Sequence, residues 1–256
     1  MAVEAREPLT PALTAGRRAF ADLFLISFVI LFLELACIRW FGSTVMFLTF
    51  FTNIVLMACF LGMSVGCLAA SRRGRLIAGV IPLTLAAVLL AGATLWLCYR
   101  TNRVAVDVGS QAAPQQIYFG TENYAGDPTR FHVPIEAVAG SFFVLIALIF
   151  TGLGQALGRA FDAIPDRVAA YSTNVLGSLA GIVAFGAASW LQTTPVLWFG
   201  VGLAVVLHLV GRRSWVQVGG AIAALAVVGV TASYAGPGVG VFWSPYYKIT
   251  YTPWDG

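Results

Sequence analysis

Phe20–Trp40 reads FADLFLISFVILFLELACIRW, an almost wholly apolar run with a carboxylate, Glu34, inside it. About 20 apolar residues cross the hydrocarbon core as a helix, so the stretch reads as a membrane span. An ionisable group at that depth is costly and marks a functional or pairing role. The rest of the chain follows the same pattern. Of 256 residues, 59% are hydrophobic and 10% charged. Soluble domains carry about 25% charged residues. The class is therefore a polytopic all-α integral membrane protein.

Seven spans are expected: Phe20–Trp40, Thr44–Ala70, Leu76–Tyr99, Pro134–Phe161, Val168–Leu191, Pro195–Val210 and Trp215–Ala235. They divide the chain into an N-terminal segment (1–19), a transmembrane domain (20–235) and a short extended tail (236–256). Met1–Gly16 has acidic residues and prolines but no apolar core, so a cleavable signal is not expected. The one long hydrophilic insert, Arg100–Val133, reads as an exoplasmic loop partly ordered by Tyr118, Phe119, Tyr124 and Phe131.

Arginines set the orientation. Arg17, Arg18, Arg72, Arg73, Arg75, Arg159, Arg167, Arg212 and Arg213 fall on one side if every span crosses. Fewer basic residues fall on the other. The positive-inside rule then puts the N-terminus in the cytoplasm and the tail outside. Trp40, Trp96, Trp190 and Trp198 read as an outer interfacial belt, with Arg39 snorkelling beside Trp40. Basic residues interleaved with aromatics are absent, which argues against nucleic-acid binding.

Packing signals recur. Gly62 and Gly66, Gly154 and Gly158, and Gly177 and Gly181 each form a GxxxG step. Small residues four apart let helix backbones approach closely in lipid.

The polar residues fall into two groups. At a rise of about 1.5 Å per residue, Glu34 lies some 9 Å and Asn53 about 13 Å below the outer boundary. With Arg39 and Glu136 near the interface, these four are candidates for one outer polar cluster. A second group, Asp22, Gln155, Tyr171, Asn174 and His208, lies toward the inner face. Each is either an interhelical hydrogen bond or part of a polar path, except His208, which reads as a snorkelling or capping residue at the inner interface. The cysteines have neither CxxC nor Cys/His spacing, so they read as small apolar residues and no metal is expected. No GxSxG, HExxH, P-loop or dinucleotide fingerprint occurs, so no catalytic set and no cofactor are expected.

The tail differs in character. Val241-Phe-Trp-Ser-Pro-Tyr-Tyr-Lys-Ile-Thr-Tyr251 alternates aromatic and β-prone residues. Its Ser244-Pro245-Tyr246 step resembles the opening strand of the spermidine synthase (polyamine aminopropyltransferase) domain. Leu33-Glu34-Leu35 with Arg39, and Leu61-Gly62-Met-Ser-Val-Gly66, look like the first two helices of membrane-fused spermidine synthase-like proteins. Tyr171-Ser-Thr-Asn174-Val-Leu-Gly177-Ser-Leu-Ala-Gly181 resembles their Tyr-x-x-Asp-x-x-Gly-x-x-x-Gly helix, with Asn174 where Asp is usual.

The resemblance implies the membrane half of such a protein, in a bacterial inner membrane. This half would anchor a Rossmann-like catalytic domain and present substrate to it. The catalytic residues of that domain are not in this sequence. Two alternatives stand beside it: a transporter or channel for a cationic solute with Glu34 as counter-charge, and a structural subunit using its GxxxG faces on other membrane subunits.

Overall fold

The computed structural model describes residues 9–45, 52–101, 103–107, 131–211, 214–234 and 239–252. Seven α-helices account for most of them: α1 (Leu9–Thr44), α2 (Thr52–Leu68), α3 (Val80–Leu95), α4 (Ile135–Asp162), α5 (Arg167–Trp190), α6 (Pro195–Val210) and α7 (Trp215–Ser233). A 3-10 turn, Leu76–Gly79, leads into α3, and a π-helical turn, Trp96–Arg100, ends it.

Local sequence explains several boundaries. The Asp166 side chain caps α5 by accepting hydrogen bonds from Val168 N (3.0 Å) and Ala169 N (3.1 Å). Pro195 opens α6, where its missing N–H costs nothing, and Gly211 closes it at φ +70°. The first helix starts at Leu9, ahead of the Phe20 that hydropathy alone marks. Pro11 sits in its first turn, where a proline is tolerated.

Five helical stretches are long and apolar enough to cross a membrane: Gly16–Thr44, Leu76–Cys98, Ile135–Asp162, Arg167–Trp190 and Trp215–Ser233. Asn53–Leu68 and Pro195–Val210 are apolar but shorter. At 1.5 Å per residue α2 and α6 rise only about 24–26 Å, against a core of roughly 30 Å.

The bundle is built from helix pairs. Along α2 and α4, Gly62 meets Ala147 and Phe150, Gly66 meets Gly154 and Gln155, and Gly158 meets Cys67 and Ala70. The two GxxxG steps therefore face each other, and the matching order of contacts makes the pair parallel. A Cβ at Gly66 would lie 2.7 Å from the Gln155 nitrogen, and one at Gly154 2.8 Å from Met63 Cα. Gly177 and Gly181 of α5 pack in the same way on Phe24, Ser27 and Phe28 of α1, again in parallel. Gly92 of α3 meets Val227 and Thr231 of α7, while Gly220 of α7 meets Ile81 of α3, a third parallel pair. Then α6 lies between α1 and α7.

Among the described residues two small sheets accompany the helices. Strands β1 (Val104–Asp107) and β2 (Phe131–Pro134) pair in parallel, Val104 opposite Phe131. Tyr118, Phe119 and Tyr124 lie outside the described residues, and Phe131 is exposed. Strands β3 (Gly240–Trp243) and β4 (Lys248–Tyr251) form an antiparallel hairpin, Trp243 opposite Lys248. Four residues join them, with Ser244 closing the turn. Its hydroxyl donates to Tyr247 O (2.8 Å) and accepts from Tyr247 N (3.0 Å).

Candidate functional site

The hairpin docks on the end of the bundle where α1 and α5 finish and α6 begins. Arg39, near the end of α1, makes the joint. Its guanidinium donates to Ser189 Oγ of α5 and to the backbone carbonyl of Ser244 in the hairpin turn. It also lies over the Trp198 ring of α6, 4.5 Å from guanidinium carbon to ring centroid. One cation thus ties together two helices, a third helix's aromatic face and the tail.

An aromatic cluster surrounds the joint. Trp198 meets Trp243 of β3 edge-on at 5.3 Å and Phe185 of α5 at 5.4 Å. Trp40 packs edge-on against Phe199 at 5.4 Å. Trp198 Nε1 donates to Thr193 Oγ1 (2.8 Å), so the ring is held in one orientation. Such pairs contribute about 0.5–1.5 kcal/mol each beyond area burial.

This arrangement corrects the belt reading. Trp40 and Trp198 are 0% exposed, whereas Trp190 is 73% exposed. Trp198 turns inward because Arg39 and Trp243 of the hairpin give its ring partners, and Trp40 because it packs on Phe41 and Phe199, its Nε1 having no hydrogen-bond partner. Arg39 is corrected likewise. It turns inward rather than snorkelling, because Ser189 Oγ, the Ser244 carbonyl and the Trp198 ring engage its two terminal nitrogens and its face, while its Nε has no hydrogen-bond partner.

Lys248 sits in the hairpin's second strand. Its ammonium donates to Tyr234 O (3.2 Å) and lies 5.9 Å from the Trp243 ring centroid. Burial pushes its pKa below the ordinary lysine value.

The outer polar residues do not form one cluster. Glu34 is 4% exposed, and its Oε2 has no hydrogen-bond partner. Cys37 and Cys59, both buried, lie within its electrostatic reach. Asn53 is exposed at the start of α2, and Glu136 is exposed in the first turn of α4. Among the described residues no hydrogen bond or ion pair links any two of Glu34, Arg39, Asn53 and Glu136. The reason is spatial: Arg39 turns toward α5 and the tail, while Asn53 and Glu136 face out of the bundle.

At the other end, Asn174 Oδ1 accepts from Ser27 Oγ (2.8 Å), joining α5 to α1 beside the Gly177 contact. Tyr171 and His208 are exposed. Gln155, fully buried, accepts from Leu76 N (2.7 Å) and donates to Ala69 O (3.0 Å). Arg159 donates to the carbonyls of Ala70, Arg72 and Gly74. These two side chains of α4 therefore fix the turn between α2 and α3.

Sequence reasoning passed over Ser189 and Trp198 as partners of Arg39, and Trp243 as a partner of Trp198. The Ser244 contact uses a main-chain carbonyl, which has no signature in sequence. The short tail motif was the one available signal. Among the described residues, no group of three or more His, Cys, Asp or Glu is placed to hold a metal ion. No protein-family model, curated protein or solved structure matches the chain.

Proposed function

We propose that this chain is the membrane domain of a spermidine synthase-like protein, anchoring a catalytic domain through its tail. The observation that carries this reading is the Arg39 joint. A two-stranded hairpin is marginal by itself in water. Here it is fastened to the bundle through the part-buried Arg39 cation and an aromatic stack, which makes it a fixed platform. Its outer face presents Phe242, Tyr246, Tyr247 and Tyr251 to the surroundings. An aromatic face of this kind suits continuation into, or cover by, a further folded unit.

Seven crossings suit the alternation of the helices, with α2 and α6 accommodated by local thinning or by burial among longer neighbours. The arginine distribution then favours a cytoplasmic N-terminus and an external tail. On this reading the chain alone does not turn over decarboxylated S-adenosylmethionine and a polyamine. It contributes position rather than chemistry.

The test is the coding sequence beyond the Gly256 codon and in its immediate neighbours. A Gly-rich Rossmann-like frame, fused or adjacent, supports the reading. A stop codon with no such frame nearby overturns it, as does aminopropyl transfer by the purified 256-residue chain.

One observation favours a second reading, transport of a cationic solute. The Glu34 carboxylate is buried without a partner for Oε2, as an occluded counter-charge would be. Proteoliposomes loaded with labelled putrescine decide it. Flux abolished by Glu34→Gln supports transport, and no flux above protein-free vesicles removes it. The partner-surface reading of the GxxxG steps has no such support, because Gly62, Gly66, Gly154, Gly177 and Gly181 are buried inside this chain.

A further inference from the structure

At the end of the bundle away from the hairpin lies a cavity of about 400 Å³. Three arginines line it: Arg18 from α1, Arg75 from the α2–α3 turn and Arg159 from the end of α4. Asp22 is the one carboxylate in its wall. The lining therefore carries a formal excess of two positive charges (three guanidinium groups against one carboxylate).

That excess is not neutralised internally. Among the described residues no ion pair joins Asp22 to any of the three arginines. Arg159 spends its donors on the Ala70, Arg72 and Gly74 carbonyls. Arg75 makes one long contact, 3.4 Å, to Leu209 O. Arg18 makes no hydrogen bond with any described residue. Arginines that only set topology need no enclosure, since their side chains reach the headgroups from open loops. Here arginines from three separate segments line one hollow.

The lining also holds the apolar side chains Ile26, Ile77 and Leu209. A cavity lined by both arginines and aliphatic residues, at the end of membrane-length helices, matches an anionic amphiphile. Planar guanidinium forks bind phosphate oxygens in pairs. Basic pockets between membrane helices take phospholipid headgroups. We propose that this cavity binds a phosphate group, carried by an anionic phospholipid whose acyl chains follow the apolar side chains. The inference is independent of the spermidine synthase-like reading, and either can fail without the other.

Native mass spectrometry of the detergent-purified chain tests it. Phosphatidylglycerol and phosphatidylcholine with the same acyl chains are titrated separately. The expected result is at least tenfold tighter binding of phosphatidylglycerol. Arg18→Gln/Arg75→Gln removes that preference. Arg17→Gln/Arg73→Gln, which removes the same charge from neighbouring positions outside the cavity, keeps it within about twofold. Arg18→Gln alone gives a partial loss without disturbing any hydrogen bond seen here, so the test survives if the double variant does not fold.

Inorganic phosphate, at matched ionic strength with chloride, separates the two sources of the group. Phosphate that raises the melting midpoint of the wild type but not of Arg18→Gln, with no preference between the lipids, identifies free phosphate as the ligand of the same site. Equal binding of both lipids with no phosphate effect overturns the proposal. So does an equal loss in the control pair of variants, which would mark the preference as general surface charge.

Discussion

Arg39 and Ser244 are 205 residues apart in the chain, yet the Arg39 guanidinium donates to the Ser244 carbonyl and so fixes the hairpin on the bundle. The same guanidinium holds Ser189 of α5. Hydrogen bonds to a charged group contribute about 1.5–3 kcal/mol each. Arg39→Gln is expected to weaken hairpin docking by roughly 2–4 kcal/mol. Trypsin cleavage after Lys248, followed by mass spectrometry, should then accelerate by about thirtyfold or more. Ser189→Ala should have a smaller effect in the same direction. An unchanged cleavage rate in Arg39→Gln would show that the hairpin is held elsewhere.

A glycine in the α2–α4 contact and one on an open face of α5 make opposite predictions. At Gly66 a Cβ would press on the backbone of Gly154 at 2.9 Å. Gly66→Ala should cost about 1–3 kcal/mol, the usual range for overpacking. At Gly186, within α5, nothing lies within 4 Å of an added Cβ. Gly186→Ala should gain up to about 1 kcal/mol from helix propensity alone. Denaturant unfolding in detergent, followed by circular dichroism, gives both signs in one experiment.

Gln155 satisfies one donor and one acceptor of the turn between α2 and α3. Gln155→Met fills similar volume but leaves Leu76 N and Ala69 O without that partner. The expected loss is about 1–3 kcal/mol. Hydrogen exchange should localise it, with faster exchange at Leu76 and unchanged protection in α7.

Lys248 supplies the pH dependence. Its pKa in the folded chain lies below the ordinary lysine value because burial disfavours the ammonium. Between those two values the unfolded chain binds more protons than the folded one. Hairpin stability therefore rises with pH across that window, and it is lowest where Lys248 is charged in both states. Raising the pH from 7 toward 10 should slow exchange-corrected opening of the hairpin in the wild type. Lys248→Met should show no such dependence on this account. A wild type that loosens over the same range would overturn the assignment.

The membrane character of the fold was legible because it is a matter of composition: apolar runs of bilayer length survive any arrangement of the bundle. Five of the seven helices meet that length; α2 and α6 do not, although both are as apolar as their neighbours. The glycine steps were visible at their spacing of four, since close approach of backbones requires small residues on one helix face. Which helix each step meets was not visible, because the spacing describes one surface only.

Arg39 was harder. Read locally, a cation one residue before a tryptophan at a helix end looks like an interfacial pair. Its actual partners are a serine hydroxyl 150 residues later and a main-chain carbonyl beyond that. Neither leaves a trace near position 39. Trp40 and Trp198 were misread for the same reason, since a belt ring and a buried ring have the same hydropathy. Asn53 and Glu136 sit at helix starts, where depth can be counted from sequence but direction cannot.

The parallel pairing of α1 with α5 has a consequence for synthesis. Ser27 bonds Asn174, 147 residues further along. At 5–20 residues per second, α1 waits about 7–30 s for that partner to leave the ribosome. During this interval the α5-facing surface of α1 must be covered by lipid or by the insertion machinery, and Arg39 by water or headgroups. Of the three parallel pairs, α1 and α5 are the furthest apart in the chain, so this surface of α1 waits longest for its native cover.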